Sequence, residues 1–263
     1  MLNEVSFDSD RGRIPGVETE EYQRLFELED RLWWFVGMRK LSLALMDRFV
    51  GRSRTLAILD VGCGTGGMIP HLGKYGSVIG VDVSDRALSF AKRRERGRLV
   101  QGGLPCLPFR SRSFDLVTSF DVIYHQAVAD DQEALAEMAR LLRPGGTLLL
   151  RVPAHDRLRS HHDVAVHTRH RYGKRELRTK LRQAGLDPFY ISYANCFLFP
   201  VAVSMRLAEK ILHRERHGSD VKKVPGAINL LLTAVLRLEA AIVRRGRLPF
   251  GLSLVAVAAR KER

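Results

Sequence analysis

Residues 58–67 of this 263-residue chain read Ile-Leu-Asp-Val-Gly-Cys-Gly-Thr-Gly-Gly. An apolar run from Ala57 to Val61, interrupted by one carboxylate, gives way to four glycines in six positions and then to helix-compatible sequence. That order predicts a strand, a turn tight enough to need glycine, and a helix start where a ligand approaches bare backbone. Gly62, Gly64 and Gly67 also fit the dinucleotide-binding spacing, so the turn alone leaves the ligand open.

Two carboxylates narrow the choice. Asp60 stands at the mouth of the turn, where it would repel a pyrophosphate and attract a cation. Asp82 ends a second apolar strand, Ser77 to Val83, about twenty residues past the glycines. An acid at that place accepts both hydroxyls of a ribose and so supports a nucleoside without choosing which one. Asp85 reads as the natural cap of the helix that follows.

Further along, Phe114 to Ser119 reads as a strand, Leu141 to Gly146 as a helix stop with a Gly-Gly turn, and Thr147 to Val152 as the next strand. With these motifs in order, the chain resembles the class I S-adenosylmethionine (SAM)-dependent methyltransferases, in the small-molecule branch of types 11 and 12. The residues that carry the resemblance are Ile58 to Gly67, Val78 to Asp82, Leu107-Pro108-Phe109, Ser113 to Val117 and Leu142 to Gly146. It spans roughly residues 20–195 and returns at Leu252 to Arg260. SAM carries a sulfonium, an ammonium and a carboxylate, so its net positive charge suits Asp60.

The resemblance implies an α/β fold: a Rossmann-like, doubly wound sheet of about seven strands with the last one antiparallel. The alternation of strand and helix patterns up to Ala154 agrees with a parallel sheet covered on both faces. Around it the sequence predicts an N-terminal helical cap over 1–54, a SAM-binding core over 55–195, a helical insertion over 196–248 and a final core strand over 249–263. Within the cap, Glu18 to Val50 has helical spacing, with Gly37 reading as a break between two helices.

Site residues follow from the same resemblance. Asp60, Gly62, Cys63, Gly64 and Gly66 are expected at the aminoacyl end of SAM or of its product S-adenosylhomocysteine (SAH). Asp82 and Val83 are expected at the ribose, and the backbone of Gly103 and Leu104 at the adenine. The third-strand loop, Gln101-Gly102-Gly103-Leu104, lacks the carboxylate that many members place there for the adenine amino group. Phe120, Trp34 and Arg39 complete the cofactor set, Trp34 as an aromatic wall and Arg39 as partner of the methionine carboxylate.

On the acceptor side, His125 follows the fourth strand in place of the Asn/Asp-Pro-Pro-Tyr turn of many amino-group methyltransferases. An imidazole with a pKa near 6.5 there can deprotonate a hydroxyl or carboxyl acceptor. His167, Arg171 and Tyr172 belong to a histidine-rich connection, 155–172, expected to line the acceptor pocket, with Arg171 holding an anionic group. A metal set drawn through His162, Asp163 and His167 has no cysteine partner, so no metal site is assigned.

Charge divides the chain. Residues 1–150 carry 20 basic and 20 acidic side chains, and residues 151–263 carry 23 and 9, which accounts for the formal +14. The C-terminal half therefore suits an anionic small or lipid-like acceptor, an acidic membrane surface or nucleic acid. The apolar runs Phe197 to Leu212 and Ala227 to Val243, flanked by basic clusters, fall short of the roughly eighteen residues of a membrane span. Amphipathic helices of this kind lie on a bilayer, cover a greasy substrate or form an oligomer interface. Three scattered cysteines and a mixed-charge N-terminus predict a cytoplasmic chain, peripheral to the membrane if those helices touch it. The expected function is O- or C-methylation of a small acceptor by in-line displacement without metal. An RNA-binding methyltransferase and an NAD-dependent oxidoreductase are the alternatives.

Overall fold

The computed structural model describes residues 19–51, 55–94, 98–159, 163, 167–212 and 224–261. His161, His162 and the basic clusters at 213–216 and 222–223 lie outside the described residues.

Seven strands form one sheet in the order β3-β2-β1-β4-β5-β7-β6, with β1 Leu56–Val61, β2 Gly76–Asp82, β3 Arg98–Gln101, β4 Phe114–Phe120, β5 Leu142–Pro153, β6 Leu186–Ala194 and β7 Ser253–Arg260. The pairs β1–β2, β2–β3, β1–β4 and β4–β5 are parallel, whereas β7 runs antiparallel to both β5 and β6. The last strand is thus inserted between two strands that run the other way, as the resemblance implies.

Strand order reverses between β1 and β4, which opens a crevice at the carboxyl edge of the sheet, the usual ligand position in such folds. The reason for glycine at the turn is visible there. Gly62 has φ +71°, and a Cβ on it would lie 2.3 Å from Val122 Cγ2 in the loop after β4. The two loops are therefore packed backbone to side chain with no room for an alanine.

Helices α1 (Thr19–Leu28) and α2 (Trp33–Phe49) form the cap, and α3 (Ile69–Leu72), α4 (Asp85–Lys92), α5 (Asp131–Leu141) and α6 (Lys174–Gln183) alternate with the strands. Ser84, rather than Asp85, caps α4: its hydroxyl accepts from Ala87 N at 3.2 Å, while Asp85 is the first helical residue and favours the positive end of the helix dipole. Asp130 caps α5 by accepting from Gln132 N and Glu133 N.

The insertion contains α7 (Phe199–Leu212) and α8 (Gly226–Val243). Here the sequence reading of Gly37 is corrected. The break in the cap falls at 29–32, and Gly37 is buried inside α2 where α8 crosses it. A Cβ on Gly37 would come within 2.3 Å of Leu236 Cδ1, so glycine is there for close approach of two helices and not as a breaker. Asn229 ties the same pair, accepting from Trp33 N at 2.8 Å and donating to Arg31 O at 2.9 Å. The length of α8 is a second correction: at 18 residues it is long and apolar enough to cross a bilayer by length and composition.

Candidate active site

The glycine turn is held by the strand beside it. Gly62 N and Cys63 N both donate to Val81 O, at 2.8 and 3.0 Å, and Gly64 N donates to Asp82 Oδ2 at 2.8 Å. Gly64 has φ +54°, and a Cβ built on it meets nothing within 4 Å. This is a bare stretch of backbone facing open space, as expected of a turn that a ligand approaches. Gly66 and Gly67 have no such freedom: added Cβ atoms would press on Ala91 at 3.1 Å and on Glu29 Oε2 at 2.5 Å.

Asp82 receives a second amide, Ser84 N at 3.0 Å on Oδ1. Two amide donors fix the carboxylate and leave lone pairs for further donors, the ribose hydroxyls being the expected ones. Burial still raises its pKa, against the pull of those amides. Asp60 is 3% exposed and accepts from Thr118 Oγ1 at 2.6 Å. Burial, opposed by the Thr118 hydrogen bond and reinforced by Asp82 and Glu29, pushes it to about 7. A cation arriving at Asp60 would therefore draw a proton off it. Cys63 is buried and its thiol is pushed well up by desolvation, which marks it as packing and not as a nucleophile.

The cap is tied to this turn through Arg94. Its side chain donates to Thr65 O at 3.0 Å, Phe26 O at 3.2 Å, Glu29 Oε2 at 3.1 Å and Asp30 Oδ2 at 2.7 Å. Arg39 sits at the same corner and donates to Glu29 O at 3.0 Å and Asp30 Oδ1 at 3.3 Å. The guanidinium assigned to the methionine carboxylate is thus engaged at the α1–α2 corner.

A different arginine stands among the aromatic residues. Arg151, 7% exposed in β5, lies 5.4 Å from the Trp34 ring and 5.1 Å from the Phe120 ring, and pairs with Asp121 at 2.6 Å. Cation–π stacking and the ion pair join the cap to the carboxyl ends of β4 and β5. The signal was one charged residue in Leu148 to Val152, an otherwise apolar strand, and the sequence reading passed over it.

At the adenine end, Gln101 Nε2 donates to Val83 O at 3.2 Å, Gly103 forms a bridge with Cys106, and a Cβ on Gly103 would meet Val83 Cγ2 at 3.3 Å. Leu104, half-buried, packs against the main core.

The acceptor-side residues separate into two groups. His125 and His167 face one another with ring centroids 5.6 Å apart, and His125 Nδ1 accepts from Ala127 N at 3.1 Å. Burial, then His167 beside it, lowers the pKa of His125, so the ring is neutral at pH 7; with Nδ1 accepting, its proton is on Nε2, which makes the free nitrogen a donor and not the base expected from the sequence. Arg171 and Tyr172 instead point into the protein. Arg171 donates to Asp163 Oδ1 at 2.7 Å and to Ala154 O at 3.0 Å, and Tyr172 donates to Asp131 Oδ2 at 2.6 Å. Because Asp163 serves Arg171, it is occupied as an ion-pair partner.

Four non-glycine residues with left-handed backbone line this edge: Asp121 after β4 (φ 62°), His155 after β5 (φ 62°), His167 facing His125 (φ 51°) and Asn195 after β6 (φ 59°). Such conformations cost energy and cluster at functional rims. His155 stacks on Tyr193 at 5.2 Å and 5°, and Ser119 Oγ, near the end of β4, is buried with no hydrogen-bond partner among the described residues.

Residues 59–150 match the model of the type 11 "Methyltransferase domain" family. Malonyl-[acyl-carrier protein] O-methyltransferase of Enterobacter lignolyticus is 36% identical over 122 residues, 46% of this chain and 47% of the relative. Ubiquinone biosynthesis O-methyltransferase of Coxiella burnetii is 28% identical over 145 residues, 50% and 61% of the two chains. The chain thus spans about half the length of these curated relatives. Among solved structures, the methyltransferase bound to the Haloferax volcanii Trm112 methyltransferase activator superposes with a TM-score of 0.59 at 22% identity, covering 93% of this chain and 96% of that one. Residues 59–150 thus form a methyltransferase domain of this family, and the chain shares the fold of the class I SAM-dependent methyltransferases; SAM is the cofactor that such domains use.

Proposed function

We propose that the chain methylates oxygen or carbon on a small or lipid-like acceptor with an anionic portion. The observation that carries this reading is the bare Gly64 backbone, bonded to Asp82 and facing open space, next to the buried carboxylate of Asp60. Both named relatives are O-methyltransferases by their names, one of malonyl-[acyl-carrier protein] and one of ubiquinone biosynthesis, which favours oxygen.

Bound SAM supplies a methyl carbon already activated by its sulfonium. The chain supplies position. Asp82 and Gly64 hold the nucleoside, Asp60 faces the cationic end, and Phe120 and Trp34, with Arg151 between them, close the far wall. An acceptor atom about 3 Å from the methyl and in line with the departing sulfur needs little more than that alignment. His125, neutral with Nδ1 accepting from Ala127 N, presents Nε2–H as a donor that orients an acceptor oxygen; as a base it would first have to release Ala127 N. The basic C-terminal half suits the anionic portion. No step needs a metal.

Calorimetric titration with SAH, with NAD and with the Asp82→Ala variant tests the cofactor half. Micromolar SAH binding that collapses in the variant, with NAD silent, is the expected result. Folded protein that binds NAD or neither ligand would sink the reading.

A further inference from the structure

Helix α8 is apolar on both sides. One side, Thr233, Leu236, Glu239, Ala240 and Val243, is buried against the cap and core. The opposite side carries Leu230 (67% exposed), Leu231 (65%) and Leu238 (56%), with Ala227, Ala234 and Ala241 exposed in the same stripe. At 100° per residue these six span little more than a quadrant of the helix, along about 20 Å of its length. A water-facing helix places its polar residues there, and large contiguous apolar patches mark interaction sites.

The charges around the stripe are of one sign. Between 226 and 247 the chain has Arg237, Arg244, Arg245 and Arg247, all exposed, and a single acid, Glu239, which is fully buried. We propose that the outer face of α8 docks on an anionic lipid bilayer, lying in the interface plane with its leucines among the acyl chains and its arginines among the headgroups.

Two observations choose this occupant. A second copy of the chain would set the same arginines against each other across a self-complementary interface, each copy already carrying a formal +14. Anionic headgroups reverse that sign and attract each basic residue near the surface. A spanning arrangement is ruled out by the packed side: Gly37 and Leu236 leave no gap between α2 and α8, and lipid cannot surround a helix so engaged. The helix lies on the membrane and does not cross it.

The test is flotation of the full chain with phosphatidylcholine vesicles with and without phosphatidylglycerol, using Leu231→Glu/Leu238→Glu and Arg244→Ser/Arg245→Ser variants. SAH titration of each variant reports folding and the cofactor site separately from docking. We expect binding to the anionic vesicles, weakened roughly tenfold or more by either pair of substitutions, with SAH affinity unchanged. Equal flotation by wild type and the leucine variant, or no flotation with either vesicle, overturns the proposal. So does a dimer in light scattering that the leucine variant splits, which would assign the face to a second copy. Failure of the docking with SAH binding intact leaves the methyltransferase reading standing.

Discussion

Arg151 and Asp121 join the carboxyl ends of β5 and β4 through a 2.6 Å ion pair, with the guanidinium held beside the Trp34 and Phe120 rings. Arg151 is about 9% and Asp121 about 19% exposed at the side chain, so removal of one partner strands a charge that water reaches poorly. Arg151→Met should destabilise the fold by about 3 kcal/mol, and the Arg151→Met/Asp121→Asn double variant by clearly less than the sum of the singles. Urea unfolding of the four proteins measures the coupling; additive effects would show that the pair does not act as a unit. SAH affinity should fall with Arg151→Met, because the cap loses its anchor at the site.

Glycine substitutions separate the turn's two duties. Gly62→Ala meets Val122 at 2.3 Å and should cost stability, about 2 kcal/mol or more, with loops after β1 and β4 both disturbed. Gly64→Ala meets nothing, so its stability loss should stay near the 1–2 kcal/mol of a left-handed alanine. Its effect should appear instead in SAH affinity, since the methyl projects into that open space. Melting curves and calorimetry on both variants decide this; an unchanged Kd for Gly64→Ala would show that the ligand does not approach there.

Asp60 predicts a pH dependence with a definite sign. Its folded pKa of about 7 lies above the ordinary carboxylate value, so the native state binds the proton more tightly than the unfolded chain. The stability it contributes is fully present below the unfolded value, about 4, and declines as pH rises through about 7. Ligand binding runs the other way. The ligand's ammonium prefers ionised Asp60, so SAH affinity should rise by up to about tenfold per pH unit below pH 7 and level off above it. Asp60→Asn should flatten both curves. A wild-type affinity independent of pH would contradict a role for Asp60 at the ligand.

Arg94 holds the cap to the glycine turn through four acceptors on two elements. Arg94→Ala should loosen α1 and weaken SAH by about 1–2 kcal/mol, while the melting temperature moves by a few degrees. Hydrogen exchange should show faster exchange in α1 and little change in β1–β5. Uniform acceleration across the sheet would mean that Arg94 stabilises the core and not the cap.

Strands β1, β2, β4 and β5 were legible because a parallel sheet buried on both faces needs short apolar runs, and the glycine turn was legible because only one residue type fits its backbone. Side-chain destinations were not. Tyr172 meets Asp131 across 41 positions and Arg94 meets Glu29 across 65, and no local pattern reports such partners. The same holds for Arg39 and Arg171, whose acceptors are decided by how loops fold back. Gly37 shows a different limit: a glycine in a helical pattern signals a break or a close crossing, and only the neighbouring helix tells which. The antiparallel place of β7 came from family resemblance and not from its residues.

The Gly37–Leu236 crossing also sets what can be removed. Met38, Leu41, Leu45 and Met46 of the cap share one buried cluster with Ala240 and Val243 of α8 and with Ile58, Leu116 and Val255 of the sheet. A shortened chain that keeps the glycine turn but lacks residues 196–248 would bare this cluster to water and leave α2 without the helix it packs against. The segment that looks most like a late addition to an ordinary core is thus part of that core's own packing.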